Sequence, residues 1–221
     1  MCPVRDLVTF EVDPVIAGRN VCNRRKFMTV IRVEPASVRA YGQQAQAIFD
    51  NMHAELVALV NDVVAVRFFG PNAVAFKTDA GKVAAEFANK LNLDMGAMAD
   101  AVRTSTSNIA ASLGGAPVTI QLDSKTITPP SPETVDYVDV DTSALESLMP
   151  TVTSHFTVLR NGLTDNMGKL QATDWEGNAK VAAVDAVQGF TTAARAKCDA
   201  AEQSITNYIN KQIEAVTTAD R

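Results

Sequence analysis

Thr173-Asp174-Trp175-Glu176-Gly177-Asn178-Ala179 holds the only tryptophan of the chain, and its reading decides the fold. An apolar-periodic segment runs into it from residue 143, and another leaves it towards residue 216. Between two such segments, Trp-x-Gly-Asn-Ala reads as a tight connection between long helices. Trp175 would plug the end of the hairpin, and Gly177 would allow a turn that a Cβ obstructs. An earlier stretch, Phe68-Phe69-Gly70-Pro71-Asn72-Ala73, repeats the element with Phe for Trp and one inserted Pro. Phe68 and Trp175 lie 107 positions apart. At that offset Val33 matches Val140, Phe49 matches Phe156, Leu56 matches Leu163 and Gly70 matches Gly177. A gapless match at spaced apolar positions is an internal repeat.

Working outward, each half carries two apolar stripes at helical spacing. In the first half Val38, Tyr41, Ala45, Ile48, Phe49, Met52, Leu56, Leu59, Val60 and Val63 form one stripe, with Pro35 suited to the first helical turn. Residues 73–82 are ambiguous, since Gly81 disfavours helix. The second stripe then runs from Val83 through Phe87, Leu91, Met95, Met98, Val102 and Ile109 to Leu113, where Gly114-Gly115 supplies a stop. In the second half, Ser143-Ala144-Leu145-Glu146 has the pattern of a capping box. Its stripes are Leu145, Leu148, Val152, Phe156, Leu159, Leu163, Met167 and Leu170, then Val184, Val187, Phe190, Ala194, Cys198, Ala201, Ile205, Tyr208, Ile209, Ile213 and Val216. Four long amphipathic helices joined pairwise by tight turns predict an all-α chain, in which two antiparallel hairpins bury their stripes together as a four-helix bundle.

A helix, a Trp-x-Gly turn and a second helix resemble the Trp-x-Gly family of small helical hairpins exported by type VII (ESX-like) secretion systems of Gram-positive bacteria. The resemblance covers roughly residues 29–114 and 138–218 and makes the chain a tandem of two hairpins. It implies a secretion motif at Phe68 and Gly70 and at Trp175 and Gly177. In the family the turn works with a Tyr-x-x-x-Asp/Glu element near the end of the second helix. The nearest match here is Tyr208-Ile209-Asn210-Lys211-Gln212, with Gln212 where the acid belongs and Glu214 two residues on. Residues 95–113 hold no Tyr. The implied partners are the secretion machinery with its ATPase, and either the chain's own second hairpin, as an intramolecular pseudo-dimer, or another helical hairpin protein.

The rest of the chain connects or precedes these hairpins. Residues 1–28 match nothing in the second half and carry Pro3, Pro14, Gly18 and the basic cluster Arg24-Arg25-Lys26. They read as a disordered extension, or as the product of a start site placed before Met28. They lack the apolar core of a cleavable signal peptide, so export would take a signal-peptide-independent route after synthesis in the cytoplasm. Residues 115–138 form the linker. Val118-Thr119-Ile120-Gln121-Leu122 and Lys125-Thr126-Ile127-Thr128 alternate at period two, which predicts a small β-hairpin before the stiff Pro129-Pro130-Ser131-Pro132 run; an irregular linker is the competing reading. Such a linker reaches on the order of 60–80 Å when extended, so either relative orientation of the hairpins is open to it.

Chemistry is sparse. The two histidines, His53 and His155, do not coincide under the repeat, and no third ligand is spaced for a metal. No nucleophile elbow, P-loop or dinucleotide fingerprint occurs, so neither catalytic, cofactor-binding nor metal residues are singled out. Cys2, Cys22 and Cys198 form an odd set without motif spacing and read as incidental thiols; a Cys2–Cys22 bridge is open to an exported chain. A net charge of −5 gives no footprint for nucleic acid and argues against an anionic membrane surface. The 6% aromatic content also speaks against helices that insert into a membrane. The expected function is therefore non-enzymatic: a secreted effector, adaptor or scaffold acting through helix–helix contacts. The alternative is an intracellular helical interaction module, or a chaperone-like partner of a co-exported protein.

Overall fold

The computed structural model describes residues 32–112 and 114–219. The N-terminal extension with Cys2 and Cys22, the first part of the extended lead-in and Leu113 lie outside them. The element order is β1 (Arg32–Val33), α1 (Pro35–Ala65), β2 (Phe68–Phe69), α2 (Pro71–Ser112), β3 (Asp139–Val140), α3 (Thr142–Gln171), β4 (Trp175–Glu176) and α4 (Asn178–Ala219). The chain is all-α, a bundle of two helical hairpins whose arms are 31 and 42 residues in the first and 30 and 42 in the second. The apolar stripes point inward, and all four helices contribute to one continuous core. Phe49 on α1 meets Phe190 on α4 edge-on at 6.0 Å, and Phe87 on α2 meets Phe156 on α3 at 6.3 Å. Diagonal helices thus touch, and aromatic edges fill the centre.

The hairpins are locked by an exchange of short strands. β1, which leads into the first hairpin, pairs antiparallel with β4, the turn of the second. β2, the turn of the first, pairs antiparallel with β3, the lead-in of the second. Val33 lies opposite Trp175, and Phe68 opposite Val140. Each hairpin therefore places its turn at the other's entrance, and every neighbouring pair of helices is antiparallel. Phe68 and Trp175 close opposite ends of the bundle.

Helix starts and stops follow local chemistry, with two corrections to the sequence reading. Pro35 opens α1 behind the N-cap Glu34. Gly114, at φ 74°, ends the rise of α2, with Gly115 N–H donating to Ala110 O at 2.7 Å. The capping box expected at Ser143 is not the cap: Asp141 stands there instead, its carboxylate accepting from the N–H groups of Ser143 and Ala144 at 3.0 and 3.2 Å. Nor is Pro71 an insertion. It occupies the position of Asn178, since α2 and α4 begin and end at the same 107-residue offset.

The β-hairpin expected in the linker does not form. Residues 116–135 have no strand partner and instead lie as an extended strap against α1 and α2. The alternation is real: Val118, Ile120 and Ile127 are buried and Leu122 is half-buried against the core, while Thr119, Gln121 and Thr126 face out. Helix side chains take the place of a partner strand. Gln46 accepts from Asp123 N–H at 2.7 Å and donates to its carbonyl, Asn92 donates to Lys125 O at 2.6 Å, and His53 meets Thr126 O at 3.1 Å. Lys125 also pairs with Asp50 at 2.8 Å. The strap explains why α1 packs more fully on α3 than on its own hairpin partner. It also explains Gly81, the residue that made residues 73–82 ambiguous: a Cβ there would overlap the ring of Pro130.

Gly81 and Gly96 both lie in α2, and nothing stands within 4 Å of a Cβ on Gly96. Gly96→Ala should stabilise the chain by about 0.5–1 kcal/mol, as helix propensity dictates. Gly81→Ala should lose that gain, lower the thermal midpoint and expose the strap to limited proteolysis between residues 116 and 135. Equal stabilisation by the two substitutions would contradict the close approach of the strap.

Candidate functional site: two reciprocal turn junctions

The residues singled out in the sequence fall into two junctions built to one plan. At each turn a glycine sits at a φ that L side chains rarely adopt, 116° at Gly70 and 109° at Gly177. The glycine carbonyl then starts the following helix, accepting from Val74 N–H at 3.1 Å and Val181 N–H at 3.3 Å. The residue two before each glycine is driven into the core, Phe68 at 3% exposure and Trp175 at 1%. Burying a ring of this size makes truncation to Ala cost about 3–5 kcal/mol.

Around the rings, the junctions share a backbone frame but differ in side chains. Glu34 N–H donates to Asp174 O at 3.0 Å, and Asp141 N–H donates to Arg67 O at 3.1 Å. Arg32 pairs with Asp174 at 2.8 Å, and Arg67 with Asp139 at 3.1 Å. Ser37 Oγ additionally accepts from Asp174 N–H at 2.8 Å. The carbonyl before each turn is held by a lysine, Lys180 on Thr173 O at 2.9 Å and Lys77 on Val66 O at 3.0 Å. Lys77 lies 5.0 Å from the Phe69 ring centroid and is almost fully buried, which pushes its pKa down.

The C-terminal element behaves as the antiparallel packing requires. Tyr208 is half-buried against the core, Gln212 reaches the β2–β3 junction, and Glu214 is exposed. Gln212 lines a cavity of about 280 Å³ with Phe68, Phe69, Gly70, Val138 and Val216. The structure thus brings Gln212 to Phe68 and Gly70, not to Trp175 and Gly177 at the far end. A second cavity of about 380 Å³ lies on the other side of the same turn, between Val64, Phe69, Lys77, Pro132, Glu133 and Tyr137. Both are open; the first is lined mainly by apolar side chains, and the second also carries Lys77, Ser131 and Glu133.

The remaining reactive groups are tied up elsewhere. Burial pushes the Cys198 thiol up to about 12, so it stays protonated and inert. Among the described residues, no three His, Cys, Asp or Glu side chains are grouped to hold a metal ion. No helix of the described residues is long and apolar enough to cross a membrane. A buried polar trio went unforeseen in the sequence: Tyr41 donates to Asn166 Oδ1 at 3.3 Å, and both side chains approach Met98 Sδ. Asn166 sits on the stripe between Leu163 and Leu170, a polar residue at an apolar position, and that was the available signal. No family model, curated protein or solved structure matches this chain.

His155 is half-buried at the boundary between two helices and bridges them. From α3, its Nδ1 meets Glu55 at 2.8 Å and its Nε2 meets Asp62 at 2.9 Å, both on α1. Burial opposes its charge, but the hydrogen bonds to Asp62 and Glu55 outweigh it and raise its pKa above the usual value. A raised folded-state pKa gives stability that is complete below about pH 6.5 and is lost as pH rises through the folded value. His155→Ala should cost about 1–3 kcal/mol at pH 5.5 by denaturant unfolding, and clearly less at pH 8.5. The same cost at both pH values would show that the bridge does not depend on the imidazolium.

Proposed function

We propose that this chain is a non-enzymatic helical protein of the type VII secretion kind, exported without a cleaved signal peptide and acting outside the cell as effector, adaptor or scaffold through helix–helix contacts. One observation carries the reading. The chain holds two helical hairpins, each turned at an aromatic-x-Gly motif with its glycine at positive φ, Trp175-x-Gly177 and Phe68-x-Gly70. The secretion ATPase is then its first partner. The strand exchange in one chain supplies the pairing that single hairpins of the family find in a second molecule. The exposed helix faces and the apolar cavities beside Phe69 are the surfaces left for a client.

The test is export in a Gram-positive host carrying a type VII system. Protein in the culture medium should fall to background without the ATPase, and should fall at least several-fold with Trp175→Ala or Gly177→Ala. Thermal melts of the purified variants separate loss of export from loss of fold. Unchanged export without the ATPase would contradict the proposal. Retention in the cytoplasm of an intact system would favour the intracellular interaction module.

A further inference from the structure

The strand pairs and backbone bonds between the two hairpins match under an exchange that carries residue n of the first onto n plus 107 of the second. Val33 opposite Trp175 is the mate of Val140 opposite Phe68. The bond from Glu34 N–H to Asp174 O is the mate of that from Asp141 N–H to Arg67 O. At the corners and on the α1–α3 side, where the mates differ in chemistry, they differ in one sense.

At the two corners the first hairpin presents Arg32 and Arg67, and the second presents Asp139 and Asp174. Arg32 and Asp139 occupy equivalent positions, as do Arg67 and Asp174. Unlike halves therefore make two Arg–Asp pairs. Two copies of the first hairpin would make two Arg–Arg corners, and two copies of the second two Asp–Asp corners.

The middle of the α1–α3 interface repeats the rule. Glu55 meets His155, and the mate of that contact is Gly162 against Ile48 and Met52, where a Cβ would stand 3.0 Å from Met52 Cγ. Two first hairpins would press Glu55 onto Ile48 and Met52, a carboxylate on an apolar face without a partner. Two second hairpins would leave Gly162 opposite His155, and would put Lys169, the equivalent of Asp62, against that same imidazole. The α2–α4 face leans weakly the other way. Its Lys197–Asp94 pair would become Lys90–Asp94 between two first hairpins, so discrimination resides on the α1–α3 side and at the corners.

We propose that the inter-hairpin interface accepts only an unlike hairpin and rejects a second copy of the same one. Specificity is a difference between affinities, and these contacts act by repelling the wrong pair as well as attracting the right one. The exposed corner pairs are individually weak, so Glu55 and Gly162 carry the larger share. The partner that fits the first hairpin, in this chain or another, has acidic residues at its lead-in and turn and a small residue facing Met52. Two opened chains would associate only by exchanging unlike hairpins.

The test begins with the folded, full-length chain carrying a protease site at residues 114–117. The chain is cut, unfolded in denaturant, refolded and weighed by native mass spectrometry. We expect pairs made of one of each half. The same chain with Arg67→Asp and Glu55→Gly makes the first hairpin self-complementary, and should raise first-hairpin self-pairs at least about ten-fold, the factor that each 1.4 kcal/mol gives. A statistical mixture from the unaltered chain, or no rise in the variant, would overturn the proposal. A second arm needs no refolding of separate halves. In the intact chain, Arg32→Asp and Asp174→Arg each recreate one rejected corner, and should each lower the midpoint by about 1–3 °C at low salt. The double exchange should restore it. Gly162→Glu recreates the rejected middle and should lower the midpoint by on the order of 5 °C or more. Single reversals and Gly162→Glu that leave the midpoint unchanged would overturn the proposal equally.

Discussion

The reciprocal pairing of each lead-in with the other hairpin's turn is the constraint on which the rest depends. Two residues of strand at each end contribute little by themselves, yet they fix which end of one hairpin meets which end of the other. Once Val33 is set opposite Trp175 and Phe68 opposite Val140, the register of all four helices follows. The buried rings then seal the two ends, and the glycines at positive φ let the chain reverse immediately after each ring. The aromatic-x-Gly motif is thus a packing device first: ring in the core, one residue of strand, then a turn that only glycine makes without strain.

The linker has to travel the length of the bundle, because α2 ends at the β1–β4 end and β3 begins at the other. A forty-residue helix is roughly 60 Å long, and the linker covers that distance only when extended. Its conformation is therefore imposed by topology. Its alternating Val118, Ile120 and Ile127 let it be extended without exposing apolar groups, and Gln46, His53 and Asn92 satisfy backbone groups that a second strand would otherwise bind.

Much of this was legible in the sequence, and the limits have physical causes. The helices were legible because their stripes recur at period 3.6 over many turns, and Leu145 to Leu170 are buried as spaced. The pairing of hairpins was legible from the 107-residue repeat. The strand exchange was not, since two-residue strands have no period to read. The linker's period of two correctly announced an extended chain, but alternation is indifferent to whether the partner is a strand or a row of helix side chains. Asp141 was missed because Ser143 and Glu146 offered a more familiar pattern two residues on. Of the candidate residues, Phe68, Gly70, Trp175 and Gly177 were found from spacing. That Gln212 joins Phe68 and not Trp175 needed the antiparallel docking. Glu55 and Asp62 are seven apart and visibly share a face of α1, yet only the α1–α3 packing sets His155 between them.

Strand exchange within one chain is tested directly by a disulfide. Arg32 and Glu176 face each other across β1 and β4. Opposed residues of antiparallel strands lie about 4.5–5.5 Å apart at Cα, inside the range that a disulfide spans. A chain with Arg32→Cys and Glu176→Cys, and with Cys2, Cys22 and Cys198 replaced by Ala, should oxidise to a single cross-linked monomer of 23.6 kDa by light scattering and non-reducing electrophoresis. Cross-linked dimers, or thiols that stay free under mild oxidant, would contradict it.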